Sequence, residues 1–349
     1  MGAALAAAYV ILVIGTSDWN PTVMLAQGVE AETQLEYAER VLDLPVETRP
    51  ELGHDGKFFF ILANDPLLID PEDHAAYLDR PTFRAQRILY PLLAGGFGLF
   101  SAIVTMWGMV VVNVVAVGFG SLATAGVARL LGANPWLGLV FAISPGIIAE
   151  LDINGGGVVA LALALAGLWL LVQGREPWAI GALTGAVLAR ETMVLFVAAL
   201  FLWWWMKRGS FSPALLGVPA LTAIGWRVYA SVRLSPLPAN ARTPQGPSLS
   251  FDLLPLRGAF EASAQWAQRE SRLIWVLCLV LLLLLFARRA WRSPAGIAWS
   301  AWPFALMSTL LSVLVWLEPY DLARATAPVF IAYPLLLFAR VPIEGSKVR

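Results

Sequence analysis

The feature that most constrains this chain is a succession of apolar runs along most of its length. They occupy residues 3–16, 105–129, 136–149, 155–172, 178–188, 193–206, 214–229, 273–286, 297–316 and 325–338. A bilayer core takes roughly 20 apolar residues per helix, with about 17–25 as the working range. The chain is 58% hydrophobic and only 14% charged, against about 25% charged in soluble domains. An ordinary soluble globule is therefore excluded. One crossing per run predicts an all-α, polytopic membrane protein with ten transmembrane helices. The first run lacks the basic segment of a secretory signal peptide, so it reads as a first span, with a cleaved signal as the weaker alternative.

Lysine and arginine set the expected orientation, because cytoplasmic loops carry their excess. With the N-terminus inside, the inner ends collect Arg129, Arg175, Lys207, Arg208, Arg288, Arg289, Arg292, Arg340, Lys347 and Arg349, opposed by Glu176 and Glu344. Both termini are then cytoplasmic, and two long segments, 17–87 and 233–272, lie outside. The first of these holds 14 of the 24 acids and 6 bases. Trp203-Trp204-Trp205 before Lys207 fits an aromatic belt at the inner interface. Segment 88–100 is apolar but carries Pro91 and Gly95-Gly96. It reads as re-entrant or interfacial, since a crossing there would move every later basic cluster outside; the alternative is eleven spans.

Several chemistries are excluded at this level. A formal net charge of zero offers no bulk attraction for nucleic acid. The single cysteine, Cys278, rules out an intrachain disulfide or a cysteine zinc site; it reads as a small buried residue in the apolar stretch 277–285. Two histidines, His54 and His74, cannot build a His-rich metal site. No repeat or pair of matching broken helices signals an inverted-repeat transporter.

Within the first outer segment, Asp70-Pro71-Glu72-Asp73 has the form of a helix start: a cap, proline at the first position, then acids. Phe58-Phe59-Phe60-Ile61-Leu62 offers an apolar face suited to lying on the membrane. The second outer segment ends in a helix-like stretch, 260–270.

Outer loops facing lipid point to work on a membrane-borne substrate. In Gly53-His54-Asp55-Gly56-Lys57-Phe58-Phe59-Phe60, Asp55 sits between glycines before an aromatic run. A carboxylate held there can take a proton from a hydroxyl nucleophile; the plain alternative is that Asp55 caps the helix at Phe58. Arg80, Arg84 and Arg87 share one helical face at spacings of four and three. Guanidinium forks suit phosphate oxygens, and the alternative is anchoring to anionic lipid. Arg190-Glu191 falls at the outer end of a hairpin of short spans, where charges are expensive and rarely idle. Glu150, Asp152, Glu318, Asp321 and Arg324 face the same side and read singly as solvated turn charges. Asp18 is positioned to join Asp55 around a divalent cation, although no ligand spacing demands one. Gly155-Gly156-Gly157 follows no strand and reads as a site of close helix packing.

One span, a long outer loop bearing an acid, then many spans: this layout resembles the GT-C class of integral membrane glycosyltransferases. Residues 53–60, together with Gln86-Arg87-Ile88-Leu89-Tyr90-Pro91-Leu92-Leu93, are similar to the Asp-Gly-x-aromatic and aromatic-Pro-Leu elements of its mannosyltransferase-like members. Ala189-Arg190-Glu191-Thr192 resembles a recurring basic-Glu element of that group. The resemblance implies a polyprenyl-phosphate-linked sugar donor, a glycan, lipid or protein acceptor, and transfer on the outer face of a bacterial plasma membrane. It makes Asp55 the catalytic base, with Arg84, Arg87, Arg190 and Arg324 on the lipid phosphate and His54, Lys57 and Glu191 as further substrate-binding residues. It leaves open a divalent cation, Mg or Mn, on Asp18 and Asp55. The chain departs from the pattern with His54 where an aromatic commonly precedes the acid and with Lys57 two places after it. A transporter or lipid flippase is the competing class, and a non-catalytic assembly protein the third.

Overall fold

The computed structural model describes residues 1–208, 212–237, 254–266 and 270–340. Part of the expected second outer segment, with Glu344, Lys347 and Arg349, lies outside the described residues. Within them every regular element is a helix, and the isolated bridges Gln27–Gly53 and Gly28–Arg49 add strand-like pairings in the loops. The helices are α1 (Gly2–Gly15), α2 (Glu32–Leu42), α3 (Gly56–Asn64), α4 (Pro81–Arg84), α5 (Leu89–Ala94), α6 (Ala102–Leu130), α7 (Leu139–Ile143), α8 (Pro145–Asp152), α9 (Gly157–Val172), α10 (Glu176–Ala189), α11 (Met193–Arg208) and α12 (Ala214–Arg233). After the second loop come α13 (Arg257–Trp266), α14 (Glu270–Ala290), α15 (Gly296–Ser308), α16 (Val313–Leu317), α17 (Pro319–Ala325) and α18 (Ala327–Leu337).

Every expected apolar run is helical, but the expected count of ten crossings is corrected. Among the described residues, three helices are long and apolar enough to cross a membrane: α6, α12 and the Leu273–Ala290 part of α14. A fourth is added if Pro135–Ile143 and Pro145–Asp152, bent by 46° at Ser144, are one broken span. The 14 residues of α1 and the 16 of α9 extend roughly 21–24 Å at 1.5 Å per residue, short of a core about 30 Å thick. Apolarity continues through breaks that end the helix. Pro145 forces Ser144 into extended backbone, and residues 309–312 divide the run 297–316. Segment 88–100 holds the six-residue α5 and one 3₁₀ turn, far too short to cross.

The long helices carry the membrane signature in their exposed faces. Leu221, Ile224, Val228 and Val232 form an uncovered stripe on α12, and Leu277, Leu281 and Leu284 one on α14. Contiguous apolar exposure of this kind is costly in water and neutral against lipid tails. Cys278 lies exposed on α14, not buried as expected. The interior is close-packed through small residues. A Cβ on Gly126 of α6 would fall 2.5 Å from the Trp169 ring of α9, and one on Gly167 2.6 Å from Leu183 of α10. With lipid as apolar as leucine, close packing of side chains into such glycine gaps helps hold helices together.

A layer built from residues 17–87 covers one end of this bundle. Tyr37 of α2 is buried against Phe60 of α3, and its hydroxyl meets His74 Nδ1 at 2.6 Å. Helix α12 grips the layer through three side chains: Trp226 Nε1 donates to the Ala85 carbonyl, the Tyr229 hydroxyl to Leu67, and Arg233 to Leu68 and Ile69. Two expectations fail here. Phe58 to Leu62 are all buried in the protein core, so α3 does not lie on a membrane surface; α2 and α5 cover it instead. Residues 70–73 form a turn, with Asp73 N–H on Asp70 Oδ1 at 3.4 Å, leading only to a 3₁₀ turn at Ala75–Tyr77.

Candidate active site

The loop before α3 is shaped by its glycines. Gly53 has φ +65°, and a Cβ there would meet the Ala26 carbonyl at 2.3 Å; one on Gly56 would meet the carbonyls of Ile153 and Leu25 at 2.5 and 2.6 Å. Asp55 is thereby fixed at the head of α3. Its carbonyl accepts from the N–H groups of Phe58 and Phe59, while its carboxylate makes no capping bond.

The carboxylate instead faces arginine. Oδ1 accepts from Arg84 Nη1 at 2.7 Å and Oδ2 from Arg324 Nη2 at 2.8 Å, with Arg87 Nη1 3.8 Å from Oδ2. Each guanidinium is held from behind by another acid. Arg84 forks onto Asp79 (2.9 and 3.0 Å) and lies over the Phe58 ring at 3.8 Å. Arg87 forks onto Glu191 (2.9 and 2.8 Å). Arg324 reaches Glu150 (2.9 Å) and Asp321 (3.0 Å), and Arg190 also binds Glu150 (2.8 Å). The expected common helical face of Arg80, Arg84 and Arg87 is cut short, because α4 ends at Arg84. Arg87 is nevertheless brought to the same acid by the turn that follows. The next residues lock that turn: Tyr90 is buried, its hydroxyl 2.9 Å from Asn154 Oδ1 and accepting from Asn113 Nδ2 at 3.0 Å.

These side chains rim a cavity of about 330 Å³. Its lining holds Asp55, Glu191 and Asp321 against Arg80, Arg84, Arg87, Arg190 and Arg324, while Phe83, Met307, Leu311 and Val315 add apolar surface. The lining thus combines more guanidiniums than carboxylates with apolar side chains. Burial alone would raise the Asp55 pKa, but Arg324, Arg84 and Arg87 outweigh it and hold the carboxyl well below its ordinary range.

Three sequence candidates lie elsewhere. Lys57 is buried away from the cavity lining, donating to the Leu52 carbonyl and lying 4.7 Å from the Phe58 ring centroid; burial, then Arg84, push its pKa down to about 8. His54 stacks on Tyr320 with centroids 6.0 Å apart and is likewise not in the lining. Its pKa is lowered, first by burial. Asp18 sits at φ 49° in the turn after α1 and does not line the cavity. No group of three or more His, Cys, Asp or Glu side chains arranged for a metal occurs among the described residues.

Sequence reasoning underrated Glu150 and passed over Arg49. Glu150 is only 2% exposed, not a solvated turn acid. The glycine run is shaped to it: Gly157 N–H donates to Oε2 at 3.0 Å, and a Cβ on Gly155 would fall 2.1 Å from that oxygen. Three glycines close behind an acid were the signal available. Two residues on, Asp152 accepts from Arg49 (2.6 Å) and Tyr9 (3.1 Å), tying the outer layer to α8 and α1. No family model, curated protein or solved structure matches this chain.

Proposed function

We propose that this protein is an integral membrane glycosyltransferase of GT-C type, moving a sugar from a polyprenyl-phosphate carrier to a hydroxyl acceptor. The observation that carries the proposal is the convergence on Asp55 of arginines from separate parts of the chain, at a cavity with an apolar wall. The donor phosphate takes the guanidiniums and its hydrocarbon chain takes the Met307, Leu311 and Val315 side. In the reading adopted here this end of the molecule faces the extracytoplasmic side, with the bundle crossing the membrane beneath it. On that orientation Trp203, Lys207, Trp291 and Arg292, which line a groove together, lie at the cytoplasmic end.

The chemistry follows from the charges. The acceptor oxygen attacks the anomeric carbon as its proton passes to Asp55, and the bond from that carbon to the phosphate oxygen breaks. The leaving lipid phosphate gains negative charge, which prepositioned guanidiniums stabilise. A carboxylate clamped by two arginines is a weak base. Donor phosphate drawing Arg84 and Arg324 toward itself restores its basicity, so the base is released only when there is a donor to use.

The test is purified protein incubated with a panel of polyprenyl-phosphate sugars, reading sugar release. Release by the wild type and its loss in Asp55→Ala, with folding and donor binding retained, support the proposal. Equal turnover in that variant rejects it. Movement of lipid or solute across reconstituted vesicles without sugar release assigns the protein to the transporter class.

A further inference from the structure

The Glu150 carboxylate is the most enclosed charge in the arginine cluster, and each of its hydrogen-bond partners is a donor. Oε1 accepts from both Arg190 Nη1 and Arg324 Nε, and Oε2 from the Gly157 amide. Its side chain is 3% exposed, and it is not among the residues lining the Asp55 cavity, but lines a small adjoining one with Arg190 and Arg324. The backbone is contoured to it, since a Cβ on Gly157 would fall 2.4 Å from its carboxyl carbon and 2.8 Å from Arg190 Nη1. The two arginines it joins come from the α10–α11 break and from α17, which are far apart in the chain, and both line the cavity. Arg190 Nε is buried with no partner in the protein. A buried guanidinium N–H without an acceptor is costly, and a ligand oxygen supplies one.

We infer that Glu150 is a positioning residue that yokes Arg190 and Arg324 into one fork for a monoester phosphate in the cavity. The inference concerns the cavity of the proposed function and rests on that reading only for the identity of the phosphate carrier. Glu150 does not touch the ligand; it fixes the angle between two groups that do.

The sign of one substitution separates this from a role in charge balance. Glu150→Gln removes a negative charge near the cavity, so electrostatics alone makes an anion bind more tightly. It also places an NH₂ among N–H donors and releases the fork, so positioning makes the anion bind more weakly. The probe is dodecyl phosphate with the full-length protein in detergent, and the control is an uncharged dodecyl glycoside. Expected is a phosphate Kd raised about tenfold or more in Glu150→Gln, with the glycoside Kd unchanged. Glu150→Asp, which keeps the charge but withdraws it by one methylene, also weakens phosphate binding and carries the test if the glutamine variant does not fold. Phosphate affinity unchanged or improved in whichever variant folds overturns the inference, as does a wild type that does not bind the probe. Glu150-dependent phosphate binding in a protein that releases no sugar from any donor leaves the inference standing and removes the glycosyltransferase reading.

Discussion

Helix α8 ends in two acids, Glu150 and Asp152, and the clusters around them use the same chemistry to different ends. Asp152 meets one guanidinium, that of Arg49, which also donates to the carbonyls of Val23 and Asp152; the Tyr9 hydroxyl adds a further bond to the acid. This bridge joins three parts of the chain, and neither Arg49 nor Asp152 lines the cavity. Around Glu150 and Asp55 there are instead four arginines chained through shared acids, and they line a cavity that also takes in apolar side chains. A structural bridge needs one cation per anion and no access. More guanidiniums than the central carboxylate can use stand at a cavity here, where the Arg49–Asp152 pair has none.

That contrast breaks most decisively at Asp55. Asp55→Asn is expected to lower sugar release by about 10²–10⁴-fold, the usual range for a general base. The fold survives, because Arg84 keeps Asp79, Arg87 keeps Glu191, and Arg324 keeps Glu150 and Asp321. Turnover beside a thermal melt measures both; full activity makes the two clusters alike. Next in size is Arg324→Ala, which strips a partner from Asp55, Glu150 and Asp321 together. Removing one side of a buried pair costs about 3–5 kcal/mol, so denaturant unfolding should move by an amount of that order and activity should be lost. Arg49→Ala sharpens the other half. Its pair with Asp152 is about one-fifth exposed on each side, and solvent screening reduces the expected loss to about 1–2 kcal/mol, with turnover per folded molecule unchanged. A turnover defect in Arg49→Ala would move the bridge into the site.

The sequence made the parts of the site legible without their connections. Asp55, Arg84, Arg87, Arg190 and Glu191 stand out as charges beside aromatic or apolar runs, Arg324 reads singly as a turn charge and enters as a candidate for the lipid phosphate, and all six line one cavity. Glu150 did not stand out, since an acid after an apolar run has the pattern of a turn charge; only folding places Arg190 and Arg324 around it. His54 and Lys57 were singled out by adjacency to Asp55, yet the side chains one place before and two places after it point elsewhere, His54 onto Tyr320 and Lys57 onto the Leu52 carbonyl. The helical class was legible from apolarity alone. The number of crossings was not, because breaks at Ser144 and at 309–312 depend on backbone geometry that hydropathy averages away.

Lys57 supplies the smallest expected effect and a check that it belongs to the scaffold and not to the cavity. It is buried on the protein side of α3, its ammonium donating to the Leu52 carbonyl, and its pKa lies near 8, lowered by burial and by Arg84. An unfolded lysine titrates near 10.4. Between these values the unfolded chain holds a proton that the folded protein has given up, so stability rises with pH across that window. Below pH 8 both states are protonated and the contribution is flat. From pH 8 to 9 the gain is about 1 kcal/mol, from the usual 1.36 kcal/mol per unit and partial titration at the lower end. Lys57→Met has no such group, so the wild type should gain that amount on the variant over this interval in denaturant melts. Parallel curves for the two proteins would mean that the ammonium is hydrated in the folded state, and would return Lys57 to the accessible side of α3, where a substrate could reach it.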